Sequence, residues 1–133
     1  MIVIIDYGMG DLNSIKNMFK KIGIPATISS NTDVIRSADK LILPGVGAFD
    51  NGMKNLKDMG LIEVLNEMIL NHKTPILGIC LGMQLMTLSS EEGILPGLGW
   101  INGNTERFKQ QYLLHHRIPN IGWNTLSGRN EIT

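Results

Sequence analysis

Absences bound this sequence before any motif does. The 133-residue chain has a single cysteine, so no intrachain disulfide can form and one thiol is left to explain. Aromatic residues make up 5% of it, and 12 basic residues balance 12 acidic ones to a formal net charge of zero. With no basic stripe interleaved with aromatics, nothing argues for nucleic acid or for a charged membrane surface. No apolar run approaches the length of a membrane-spanning helix. Met1 to Ile5 runs straight into Asp6 and lacks the charged, apolar and small-residue regions of a secretory signal. The expectation is a soluble, cytoplasmic, single-domain protein spanning 1–133, with 43% hydrophobic residues to form a core.

What is present centres on the lone thiol. In Pro75-Ile76-Leu77-Gly78-Ile79-Cys80-Leu81-Gly82-Met83-Gln84-Leu85, an apolar strand leads to a cysteine bracketed by glycines, and an apolar helix starts after it. That is the pattern of a nucleophile elbow, with Cys80 where a hydrolase would carry serine. The glycines allow neighbouring turns to approach closely. The helix would aim its N-terminal N–H groups at the sulfur and favour thiolate.

The remaining chain reads as alternating strands and helices. Ile2–Ile5 and Lys40–Leu43 are short apolar runs of the kind buried on both faces of a parallel sheet, and Ile24–Ile28 is a further strand, with Pro25 at its start or on an edge. Leu12, Ile15, Met18, Phe19 and Ile22 recur at helical spacing up to Gly23. Thr32-Asp33 is expected to cap a short helical turn through Ser37. The apolar period from Met53 to Ile69 predicts a helix split at Gly60. A helix after Cys80 is expected to run through Leu88, with the polar stretch Ser89–Gly93 ending it. Trp100-Ile101 and Arg107-Phe108 read as short β segments, and 110–117 as a hairpin tip.

Two glycine loops invite more than one reading. Gly8-Met9-Gly10 follows a strand, but Asn13 stands where a dinucleotide fingerprint would have its third glycine, which favours a tight turn lining a ligand or partner surface. Gly45-Val46-Gly47 could turn backbone N–H groups toward a developing oxyanion, or could simply ease a strand-to-helix turn. His72 reads as solvated, and the adjacent His115 and His116 lack partners at ligand spacing, so no metal site is expected. Trp123, between Gly122 and Asn124, is either a core anchor or an interface residue.

Four stretches together carry a resemblance: 6–10 (Asp-Tyr-Gly-Met-Gly), 44–49 (Pro-Gly-Val-Gly-Ala-Phe), 78–85 around Cys80, and 119–124 (Pro-Asn-Ile-Gly-Trp-Asn). The chain resembles class-I (triad-type) glutamine amidotransferases, and among them the glutaminase subunits of imidazole glycerol phosphate synthase. The resemblance implies an open, mostly parallel α/β sheet with flanking helices, flavodoxin-like, without cofactor or metal. It implies Cys80 as nucleophile on the glutamine amide, and an oxyanion site from Leu81 and from Val46 or Gly47. Gly45, Gly47 and Gln84 would contact the bound glutamine. A (β/α)8-barrel synthase subunit would take the ammonia, with Gly8, Met9, Gly10, Asn13, Asn120, Trp123 and Asn124 facing that partner.

Two departures from the family pattern stand out. Asn120 replaces a usual histidine, and the family's His-Pro-Glu motif, which supplies the triad base, does not occur in these residues. The expectation is an N-terminal two-thirds of the domain, without its last strands and with negligible glutamine hydrolysis of its own. Two other readings stand beside it: a homologous subunit supplying ammonia for amino-sugar synthesis in surface polysaccharide, and a non-catalytic interaction module.

Overall fold

In a computed structural model, which describes residues 1–109, 111 and 121–128, the strands assemble as their apolar runs predict. The strands β1 (Ile2–Ile5), β2 (Ala26–Ser29), β3 (Lys40–Leu43) and β4 (Ile76–Gly78) form one parallel sheet in the order β2-β1-β3-β4. Ile4 pairs with Ile28 on one side and Ile42 on the other, and Leu43 pairs with Gly78. Strand β2 lies at an edge, where the missing N–H of Pro25 does no harm.

The helices are α1 (Leu12–Lys21), α2 (Thr32–Arg36), α3 (Phe49–Asp58), α4 (Leu61–Asn66) and α5 (Leu81–Leu85). Between α4 and β4, Glu67–Asn71 forms a π-helical turn. Gly60 splits α3 from α4 in a left-handed conformation, φ 67°, as the breaker reading predicts. Val3, Ile5, Leu41 and Leu43 point to one face of the sheet and pack against Ile35, Phe49, Met53, Leu56, Leu61, Leu65, Leu81 and Leu85 from the other four helices. Helix α1 covers the opposite face, where Ile15, Met18, Phe19, Ile22, Ile42, Leu77 and Ile79 line an open apolar groove of about 240 Å³.

Four local expectations are corrected. Helix α5 ends at Leu85, well before Leu88, because Thr87 Oγ1 donates to the Gln84 carbonyl and the Leu88 N–H turns away to the Gly103 carbonyl. The polar Ser89–Ser90 pair, expected to be loop, is strand β5, and it pairs in parallel with β6, Asn104–Thr105. Trp100-Ile101 and Arg107-Phe108 are not strands. The cap of α2 is Asn31, whose side chain accepts from the Asp33 and Val34 N–H groups, so Thr32 and Asp33 already lie inside the helix. The 110–117 hairpin tip, His115, His116 and Asn120 fall on or among residues outside the described ones. Among the described residues no helix is long and apolar enough to cross a membrane.

Candidate active site

The topology selects one edge of the sheet. The chain leaves β1 toward β2 on one side and then returns to β3 on the other, so the connections after β1 and β3 diverge and leave a crevice at the C-terminal ends of these strands. The Gly8–Gly10 loop, the Gly45–Gly47 turn and Cys80 all sit at that edge, each following its strand directly.

Cys80 has φ 52° and ψ −115°, one of two non-glycine residues with positive φ among the described residues, and it is exposed. A β-carbon in that backbone region costs on the order of 1–3 kcal/mol, so the surrounding structure must enforce it. It does so through the two bracketing glycines. A β-carbon on Gly82 would stand 1.8 Å from the Leu43 carbonyl oxygen, and one on Gly78 would stand 2.6 Å from the Met83 α-carbon. The Gly82 N–H donates to the Ile79 carbonyl at 3.0 Å, which closes the turn beneath the thiol. The elbow expected from Gly-x-Cys-x-Gly is therefore formed, and only glycine fits on either side of it. Helix α5 has five residues, so the dipole behind the sulfur is shorter than a helix running to Leu88 would supply.

The turn after β3 lies against the elbow. The Leu81 N–H, expected to be an open oxyanion donor, instead donates to the Gly45 carbonyl at 3.2 Å. Gly45 is buried, and a β-carbon there would meet Leu81 Cβ and the Gly82 nitrogen at 3.0 Å each. Gly47 has φ 129°, a conformation open to glycine, and Val46 projects into solvent. Gln84 is half-buried one helical turn beyond Cys80, and its N–H donates to the Cys80 carbonyl.

The N-terminal loop completes the cluster. Gly8 and Gly10 have φ 79° and 94°. The loop approaches the neighbouring turn closely: a β-carbon on Gly10 would be 3.3 Å from the Gly45 α-carbon, and one on Gly47 would be 2.8 Å from Met9 Cε. Asn13 is exposed in the first turn of α1. Trp123 and Asn124 lie in a fully exposed stretch, 121–128, without helix or strand.

Reading the sequence missed Tyr7. It is fully buried, its hydroxyl donates to the Pro44 carbonyl, and Asn55 Nδ2 donates to its own carbonyl at 3.0 Å. Burial, and secondarily the neighbouring Cys80, push its hydroxyl well above the ordinary tyrosine range, so it stays protonated. The signal was available: Tyr7 keeps the alternation of Val3 and Ile5 and so points inward. Among the described residues no histidine accompanies these groups. His72 precedes β4, at the opposite end of that strand from Cys80, with Nε2 3.5 Å from Glu67 Oε1. Among the described residues no group of three or more His, Cys, Asp or Glu side chains is placed to hold a metal ion.

A family model described as glutamine amidotransferase class-I matches residues 3–131. The chain is 58% identical over 124 residues to the imidazole glycerol phosphate synthase subunit HisH 2 of Methanococcus maripaludis, covering 93% of this chain and 60% of that protein. The subunit HisH 2 of Pseudomonas aeruginosa is 47% identical over 131 residues, covering 98% and 64%, and a subunit HisH 1 of Campylobacter jejuni is 50% identical over 127 residues, covering 95% and 62%. The chain thus spans less than two-thirds of the length of these relatives. A solved structure described as a glutamine amidotransferase superposes with a TM-score of 0.66 at 21% identity, over 80% of this chain and 57% of that one, a likeness of fold.

Proposed function

The chain belongs to the class-I glutamine amidotransferase family, and from that membership we propose that it acts as the glutaminase portion of an imidazole glycerol phosphate synthase in cytoplasmic histidine biosynthesis. The observation that carries the proposal is the Cys80 elbow, strained into positive φ between glycines that admit no side chain, with the Gly45–Gly47 turn alongside. In this reading Cys80 Sγ attacks the side-chain amide carbon of glutamine. The new S–C bond places the electron pair of the carbonyl on oxygen, and the oxyanion collapses with cleavage of the C–N bond. Ammonia leaves after gaining a proton. Water then attacks the thioester, releases glutamate and returns the thiol.

The oxyanion needs donors that the present arrangement holds back. The Gly45 carbonyl and the Val46 N–H belong to one peptide unit and point in opposite directions. Rotating that unit withdraws the oxygen from the Leu81 N–H and turns the Val46 N–H toward the site. One peptide rotation therefore creates two donors; it turns ψ of Gly45, where glycine gives the freedom, together with φ of Val46. The starting arrangement is a closed, low-activity form.

Glutamine would lie across Gly45, Gly47 and Gln84. The Gly8–Gly10 loop with Asn13, and the 120–124 stretch with Asn120, Trp123 and Asn124, would face a (β/α)8-barrel subunit that receives the ammonia. A fully exposed tryptophan between the exposed Ile121 and Leu126 suits an interface anchor. What the described residues do not supply is the group that takes the thiol proton and gives it to ammonia. On this reading, with no His-Pro-Glu motif in the 133 residues to supply that base, the polypeptide should release glutamate from glutamine at a negligible rate, with or without a barrel partner. Measuring glutamate release with wild type and Cys80→Ser tests this: turnover that disappears in Cys80→Ser would show that a base is present after all.

A further inference from the structure

We propose that the Tyr7 hydroxyl is a positioning group for the Gly45–Gly47 turn, fixing the Pro44–Gly45 peptide so that the turn changes state by rotating the next peptide alone. The proposal rests on the glutaminase reading for its purpose, but the pin itself is a matter of geometry.

A tyrosine is not needed here for bulk. Tyr7 is completely buried among Val3, Ile5, Leu41 and Leu43, where phenylalanine would fill nearly the same space without a polar atom to satisfy. The hydroxyl is therefore justified by what it bonds, and it bonds the Pro44 carbonyl, one peptide before the unit whose oxygen occupies the Leu81 N–H. Its oxygen also lies 2.3 Å from where a β-carbon on Gly45 would be, so it rests directly against the pivot residue. The backbone at Tyr7 is held as well, since Asn55 Nδ2 on α3 donates to the Tyr7 main-chain carbonyl.

The turn itself is poorly constrained by its own sequence. Glycines at 45 and 47 leave several conformations accessible, and Val46 is exposed and packs on little. A turn that must alternate between a capped and an open Leu81 N–H needs one end fixed, or its mobility is spread over several peptides. Pro44 restricts its own φ, and the tyrosine hydroxyl fixes the carbonyl that follows. Because that hydroxyl stays protonated far into the alkaline range, the pin does not release with pH.

Amide hydrogen exchange on the full 133-residue chain tests the pin. In Tyr7→Phe the Leu81 amide should exchange about two- to ten-fold faster, the factor that one neutral hydrogen bond supplies. The Ile4 and Ile42 amides should stay within two-fold of wild type, on the order of the scatter expected without loss of stability. Unchanged Leu81 exchange, or a rise shared equally by Leu81, Ile4 and Ile42, would overturn the proposal, the latter because it marks a purely structural tyrosine. Should Tyr7→Phe fail to fold, the wild-type protein still decides. A slowly exchanging hydroxyl proton with a nuclear Overhauser contact to the Gly45 α-protons supports the pin, and its absence overturns it.

Functional coupling is read separately by the rate at which a diazo-ketone analogue of glutamine inactivates Cys80. Tyr7→Phe should lower the maximal rate several-fold, leave the half-saturating concentration unchanged, and leave simple iodoacetamide alkylation unaltered. If wild type reacts with iodoacetamide and not with the diazo-ketone, the glutaminase reading fails while the exchange result still judges the pin.

Discussion

The two faces of the central sheet are built from similar apolar residues and are covered to different degrees, since Ile4 and Ile42 are buried on the α1 face but the groove beside them is open. On one face Val3, Ile5, Leu41 and Leu43 are at most 1% exposed, sealed by helices α2 to α5. On the other, α1 has no buried residue, and Met18, Ile22 and Leu77 are 61%, 63% and 57% exposed around the groove. The filled face is the one that carries Tyr7, Leu81 and Leu85 up to the elbow. The strain at Cys80 is thus supported from the rigid side, and the open face contributes apolar surface without fixing the site.

That contrast can be broken most severely at the elbow. Gly82→Ala places a β-carbon on the Leu43 backbone, which cannot yield, and should cost more than about 4 kcal/mol, visible as a collapse of the urea midpoint. Gly23→Ala, where a β-carbon meets nothing within 4 Å and strain comes only from φ 75°, should cost on the order of 1 kcal/mol. Next in size, Leu85→Ala on the filled face should lose about 2–5 kcal/mol, while Leu77→Ala on the open face should lose under about 1 kcal/mol. Equal losses at the two leucines would mean that the groove is covered in solution.

Smaller again, Met18→Ser with Ile22→Ser should shift stability by no more than about 0.5 kcal/mol and reduce binding of an apolar fluorescent dye, since these side chains are already in water. The smallest effect concerns Asp11, the N-cap of α1, which accepts from the Ser14 N–H and hydroxyl. These hydrogen bonds, the hydroxyl one foremost, hold its carboxyl below the ordinary aspartate range. A depressed value means that its support for α1 is complete above an aspartate's unfolded pKa of about 4 and is lost as the pH falls through the lower folded value. Ser14 amide exchange should accelerate in that acidic window in wild type and show no such titration in Asp11→Asn.

Much of this was legible because it depends on side-chain character over a few consecutive residues. Ile2–Ile5 and Lys40–Leu43 announce buried strands, Gly60 announces a break, and Gly78 and Gly82 announce the elbow. What was not legible depends on pairing across the chain. Ser89–Ser90 and Asn104–Thr105 have no apolar alternation, and they become strands only because the backbone after α5 is drawn into register with a distant segment. The apolar period through Leu88 suggested more helix than forms, since tertiary hydrogen bonds claim the Leu88 N–H first. At the site, the letters pointed to Cys80, Leu81 and the glycine turn. That the Leu81 N–H is capped by Gly45 is a backbone orientation, which no residue type encodes. The roles proposed for Gly8, Met9, Gly10, Asn13, Asn120, Trp123 and Asn124 concern a partner surface and stand as proposals.

The proposed function makes the Cys80 elbow a glutamine-reactive nucleophile. Mass-spectrometric mapping after treatment with the diazo-ketone analogue of glutamine tests it most directly. The expected result is one adduct, on Cys80, that glutamine protects against, that Cys80→Ser abolishes and that Gly82→Ala nearly abolishes. A Cys80 that iodoacetamide alkylates readily, yet that the glutamine analogue leaves unmodified and glutamine does not protect, would contradict it.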